Sequence, residues 1–148
     1  MRRLVWTLVV AEVLVLVSCC APNLPDDLPG LVQHMASNDE EVQACAARKT
    51  YERYGVDGLL NALQSPLTGA RFNAALFLRL HPDPKAREPL LRASHDSDPW
   101  VRGQATYALS SFPSPEVEAR VKELLSDANA TVRVQAQESL DIMAGKAR

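Results

Sequence analysis

The chain has 148 residues, room for one domain, and its 47% apolar and 23% charged content is ordinary for a globular protein. The formal net charge is −2, so no basic excess stands ready to neutralise phosphates, and a nucleic-acid-binding role is set aside. Aromatic residues are sparse at 5%, while Ala and Leu abound, which suits a core of closely packed helices.

Residues 1–18 read as a signal peptide. Arg2 and Arg3 form a positive start, and Leu4 to Val17 is an apolar run broken only by Glu12. As a helix this run would span about 21 Å, short of the ~30 Å of bilayer hydrocarbon, so a permanent membrane span is the poorer reading. Leu16-Val17-Ser18-Cys19 then resembles the bacterial lipoprotein signal. That resemblance implies cleavage after Ser18 and a lipid on the Cys19 thiol. It also points to the outer membrane, facing the periplasm, because Cys20 and not Asp follows the modified residue. Cys20 is a competing site that fits less well. Residues 19–27, rich in Pro and polar groups, are predicted to form an extended tether.

From residue 28 to the end the chain repeats itself. Ala70-Arg71-x-Asn73-Ala74 recurs as Val101-Arg102-x-Gln104-Ala105 and Val132-Arg133-x-Gln135-Ala136, with equal steps between the copies. A degenerate copy, Val42-Gln43-x-Cys45-Ala46, stands slightly less than one such step ahead of the first. A period of this length means stacked units, each too small to bury its own apolar face. Within the copies Val101, Ala105, Ala108 and Leu109 share one helical face, as do Val132, Ala136 and Leu140. Starts are signalled at Asn38-Asp39, Ser65-Pro66, Asp98-Pro99 and Asp127 to Asn129. A preceding helix carries Leu31-Val32, Leu59-Leu60 and Leu90-Leu91, with its fourth counterpart drifting to Val117, Val121 and Leu124-Leu125. Pro89 predicts a bend or late start there, Asp83-Pro84 being the nominal beginning. Four helix pairs result, roughly 27–54, 56–80, 83–111 and 114–144: an all-α fold, a short α-α superhelix.

The phrases Asp98-Pro99-x-Val101-Arg102-x-x-Ala105-x-x-Ala108-Leu109 and Asn129-x-x-Val132-Arg133-x-x-Ala136 resemble HEAT repeats, specifically the short bacterial subtype of phycobilin-lyase-like proteins. The resemblance implies a scaffold or binding surface more than an activity. It also implies that positions two, six and nine past each leading Val line the concave side. These read Ala44, Phe72, Gly103, Val134, then Arg48, Leu76, Tyr107, Glu138, then Tyr51, Arg79, Ser110, Asp141.

Phe72, Leu76, Tyr107 and Val134, flanked by Arg48 and Arg79, would form an apolar patch with a polar rim, as protein-binding sites do. The competing reading tucks these side chains between neighbouring repeats. Arg71, Arg102 and Arg133 form a ladder, either a stripe for an anionic partner or, as the family favours, ties to acidic residues of the adjoining turn such as Asp98 or Asp127. Trp100 replaces the Glu41, Gly69 or Thr131 of the other copies, as a binding hot spot or as packing over Pro99. Cys45 reads first as a small, partly buried residue, with a bond to Cys20 as the alternative. His34, His81 and His95 lack ligand spacing, and neither a nucleophile set nor a phosphate loop is evident, so no metal, cofactor, small-molecule substrate or catalysis is expected. The reading is a lipid-anchored envelope protein whose solenoid binds a protein partner. The alternatives are a phycobilin-lyase-like accessory or protein-modification factor, and a purely structural envelope component.

Overall fold

In the computed structural model residues 23–146 are described; the signal segment, Cys19 and Cys20 lie outside the described residues. Within the described residues seven α-helices follow one another: α1 (Leu28–His34), α2 (Glu40–Ala62), α3 (Thr68–Leu80), α4 (Arg87–Ala93, entered through a 3₁₀ turn at Pro84–Ala86), α5 (Pro99–Leu109), α6 (Pro115–Leu124) and α7 (Ala130–Met143). Gly55, at φ 61° and ψ −155°, divides α2 into limbs 40–54 and 56–62. No side chain crowds that position, so the positive φ alone asks for glycine. The limbs belong to successive units, and the helices fall into the four pairs that the periodicity predicts.

Short polar side chains start the helices by accepting backbone N–H groups that have no partner inside the helix. Asp27, Asp39, Asp98, Ser114 and Asn129 cap α1, α2, α5, α6 and α7 in this way. The expected start at Ser65-Pro66 is displaced. Here α3 begins at Thr68, behind Leu67, and Ser65 Oγ accepts only the Leu67 N–H. Asp83 opens the 3₁₀ turn, which places Pro89 in the first turn of α4, where its missing N–H costs nothing.

The second helices form one layer, α3 against α5 and α5 against α7, while α4 and α6 cover α5 and α7 from one side. Between them lie fully buried columns. Ala46, Ala74, Ala105 and Ala136 allow close approach of the helices, and Leu31, Leu59, Leu90 and Val121 fill the space from the first helices. The drift expected in the fourth pair is absent. Val121 stands one full repeat after Leu90 and is equally buried, whereas the next position passes from half-buried Leu91 to exposed Lys122. In the later pairs only the first residue of the doublet belongs to the core, Leu60 and Leu91 being half-buried, whereas Leu31 and Val32 of the first pair are both buried.

The tether is shorter than the sequence suggests. Leu24 is buried, Lys49 Nζ donates to its carbonyl at 2.9 Å, and the same ammonium lies 3.0 Å from Asp26 Oδ1. Arg53 also reaches Asp26, at 3.3 Å, and the Tyr54 hydroxyl donates to the Asp26 carbonyl at 2.7 Å. Residues 24–27 are therefore fastened to α2 instead of hanging from it.

Candidate protein-binding surface

The repeated arginines lie at the joints between pairs. Arg71 spans the joint between the second and third pairs: Nη1 donates to the Ser65 and Pro66 carbonyls, both at 3.1 Å, and Nε and Nη2 grip Asp96 at 2.7 and 3.0 Å. Arg102 repeats this one joint later, with Asp96 and Ser97 carbonyls at 2.9 and 3.0 Å and Asp127 at 3.0 and 2.9 Å. Such two-pronged pairs are strong and directional. The acid that Arg71 meets is Asp96, not Asp98, because Asp98 is engaged by the Trp100 and Val101 N–H groups at the start of α5. Arg133 makes only the backward half of the pattern, donating to the Asp127 and Ala128 carbonyls. Among the described residues it forms no ion pair.

These pairs hold both carboxylates in their charged form. For Asp96 burial pushes the pKa up, but hydrogen bonds from Arg71 and the Asp98 N–H, with the charges of Arg71 and Arg102, outweigh it and the net shift is downward. For Asp127 the Arg102 hydrogen bond comes first and lowers the pKa, with burial opposing.

Facing away from the buried stripe of the second helices, Phe72, Leu76 and Tyr107 are half-buried and Val134 is 56% exposed. The Arg79 guanidinium lies 4.9 Å from the centre of the Tyr107 ring, a cation–π contact that covers part of that aromatic face. Arg48 is half-buried, with Glu52 at 3.8 Å. The row is interrupted where the sequence expects it to run on. Gly103 and Ser110 are buried, and the Gln135 side chain lies so close over Gly103 that an added Cβ would collide with its Oε1. Gln135 thus fills the place over Gly103 where the row was expected to continue. Trp100 is 56% exposed at the start of α5, and Leu80, which the sequence reading passed over, is exposed to the same degree.

The other residues singled out are spread apart. Cys45 is buried in the first pair, His34 Nδ1 lies 2.8 Å from the Gly30 carbonyl, and His81 stacks on Tyr51 at 4.1 Å. His95 borders an open groove of about 460 Å³ between α4 and α6, with Leu91 and Ala119 among the lining residues. Arg120, missed in the sequence, closes one wall of it. Its guanidinium donates to Ser94 Oγ and the Ser94 carbonyl at 2.9 and 2.6 Å, joining α6 to the end of α4. Among the described residues no His, Cys, Asp and Glu side chains gather into a group that could hold a metal ion.

Residues 56–141 match the family of HEAT repeats. The chain is a HEAT-repeat protein. The match begins at the second limb of α2, so it spans the second, third and fourth pairs and stops short of the pair in which Gln43 replaces the arginine. HEAT repeats generally serve as non-catalytic scaffolds for protein–protein interaction, and this all-helical stack has their architecture. No curated protein matches the chain.

Proposed function

We propose that this HEAT-repeat protein is a lipid-anchored scaffold of the bacterial cell envelope, of the short phycobilin-lyase-like subtype, that binds a protein partner without catalysis. The observation that carries the binding role is the group formed by Phe72, Leu76 and Tyr107 with Arg79: apolar and cationic surface held on rigid helices, outside the core. Side chains fixed in this way lose little freedom on binding, so more of the contact energy goes into affinity. Val134, Arg48 and Trp100 extend the surface. The anchor rests on Arg2, Arg3 and the Leu16-Val17-Ser18-Cys19 motif, and the periplasmic face of the outer membrane on Cys20 following Cys19.

Two measurements test the reading separately. Cys19→Ser is expected to abolish incorporation of labelled fatty acid; equal labelling of variant and wild type overturns the anchor assignment. Phe72→Ala combined with Tyr107→Ala is expected to leave the melting temperature nearly unchanged while losing a partner that the wild-type protein crosslinks in intact envelopes. Retained crosslinking, or collapse of helicity in the variant, removes this surface from the binding role.

A further inference from the structure

We infer that the N-terminal end of the helix stack is its membrane-facing end, held at a fixed attitude to the bilayer by residues 24–27, with the repeats leading away from the lipid. The inference rests on the Cys19 anchor proposed above.

The two ends of the stack differ in what occupies them. The sides of the second helices that look back toward the preceding pair are marked by contacts inside the stack: Asn73 Nδ2 donates to the Met35 carbonyl, and Ser139 Oγ to the Thr106 carbonyl. In the first pair the corresponding positions are Cys45 and Lys49. Having no repeat before them among the described residues, they face the N-terminal end, and there Lys49 holds the Leu24 carbonyl and the Asp26 carboxylate. Residues 24–26 therefore sit where a preceding repeat would sit. Pro25 is pressed against Gly30, where an added Cβ would meet Pro25 Cγ at 2.6 Å, so the segment is seated on α1 as well as on α2.

The buried Leu24 follows Cys19 at the fifth position. Even fully extended, that stretch of chain reaches at most about 18 Å. A lipid on Cys19 would thus keep the first pair within that distance of the headgroups, and the grip of Lys49, Arg53 and Tyr54 on Asp26 would resist free swivelling. Each further pair adds a helix-packing distance of about 8–10 Å along the stack. In the fourth pair Gln137 is exposed where Ala47, Ala75 and Thr106 of the earlier pairs are buried.

Energy transfer to the membrane reads this attitude directly. The full-length lipidated protein, in a Cys20→Ser, Cys45→Ala background, carries a donor dye at Glu52→Cys in the first pair or at Gln137→Cys in the fourth. It is reconstituted into phosphatidylethanolamine–phosphatidylglycerol vesicles containing an acceptor-labelled headgroup. Transfer is expected to be several-fold more efficient from position 52 than from position 137. Adding Asp26→Ala and Tyr54→Phe, which loosen the fastening, is expected to bring the two efficiencies together without releasing the protein from the vesicles. Vesicle-bound protein with equal efficiencies at both positions overturns the fixed attitude and leaves the anchor standing. An unaltered difference in the loosened variant assigns the attitude to something other than residues 24–27 and overturns their role. Failure of the protein to float with vesicles overturns the anchor, and the inference with it.

Discussion

Where the second pair meets the third, Arg71 crosses the joint and closes on a carboxylate; where the first meets the second, Gln43 stands in the same place and cannot. Its amide donates backward to the Ser37 carbonyl, as the arginines do to their own turns, and its Oε1 accepts from Asn73 Nδ2 at 3.0 Å. Asn73 Nδ2 also faces the Met35 carbonyl at 3.0 Å and the Gly69 carbonyl at 2.9 Å, so two amide hydrogens serve three acceptors. The acceptor turn has changed in step. Ser37 and Ser65 occupy the column of Asp96 and Asp127, and each still accepts the N–H two residues on, but no ion pair forms through them. One architecture thus uses a neutral joint at its N-terminal side and two charged joints beyond it. What repeats is the stitching of each turn; the charge is an addition to it.

Breaking a charged joint is expected to have the largest effect. In Arg102→Met the Asp127 carboxylate, only 9% exposed, loses its bidentate partner. Leaving such a charge unpaired typically costs about 3 kcal/mol, a large part of a small domain's stability. Chemical denaturation of Arg102→Met, Asp127→Asn and the double variant would show the double variant less destabilised than the sum of the singles. Strict additivity would mean that the clamp contributes nothing as a pair.

Acid should separate the joints next. Asp96 and Asp127 have folded-state pKa values below the ordinary carboxylate value of 3.8. Well above that value both states are ionised and stability is level; below it the unfolded chain takes up protons that the folded chain refuses, so stability falls as pH drops toward the folded-state values. Hydrogen-exchange protection in α4 to α7 is therefore expected to decline below about pH 4, the unfolded Asp range, more steeply than protection at the Gln43–Asn73 joint. Asp96→Asn with Asp127→Asn should flatten that decline on an already lower plateau. A uniform decline along the chain would contradict the difference between the joints.

The comparison can also be sharpened by transplanting the clamp. Gln43→Arg with Ser65→Asp places the charged pair in the first joint, in the register of Arg71 and Asp96. A gain of about 1 kcal/mol in the double variant, absent from either single one, is expected from thermal denaturation.

The pairs, most caps and the buried columns were legible in the sequence because they follow from period and helix geometry, which every copy restates. Finer choices depended on what each polar group already held. Asp98 is the stronger cap and so is unavailable to Arg71, yet Asp96 could have been found, since Asp127 follows it at the same step that separates Arg71 from Arg102. The start of α3 was within reach in the same way, since Thr68 precedes Pro99 by the step that separates Pro99 from Ala130; Ser65-Pro66 lies in the turn, in register with Asp96-Ser97, and is not a helix start. The interruption of the outward face at Gly103 depends on a side chain from the next repeat, and the bond from Arg120 to Ser94 joins two different helix pairs. Neither leaves a periodic trace.

The smallest expected effect concerns a buried amide oxygen of the repeated phrase that has no hydrogen-bond partner among the described residues. Gln104 stands one repeat after Asn73 and one before Gln135, so all three occupy the same position in their units. Asn73 is bonded across its joint, and Gln135 lies over Gly103, but the Gln104 Oε1 is buried with no hydrogen-bond partner. A buried carbonyl without a donor has given up its water and received nothing in return. Gln104→Met keeps nearly the same volume and shape and removes that oxygen, and relief of such a penalty is expected to stabilise the fold by about 1 kcal/mol. Thermal denaturation should show a rise of a few degrees, on the order of 4 °C for a domain of about this size. Asn73→Leu, close in size to Asn, removes the Nδ2 that donates to the Met35, Gln43 and Gly69 oxygens and should lower the melting temperature. Opposite signs at two positions of one column would show that the repeat dictates where a side chain stands, while the joint decides whether it stabilises. Equal signs would remove the incomplete bonding of Gln104 as a source of instability.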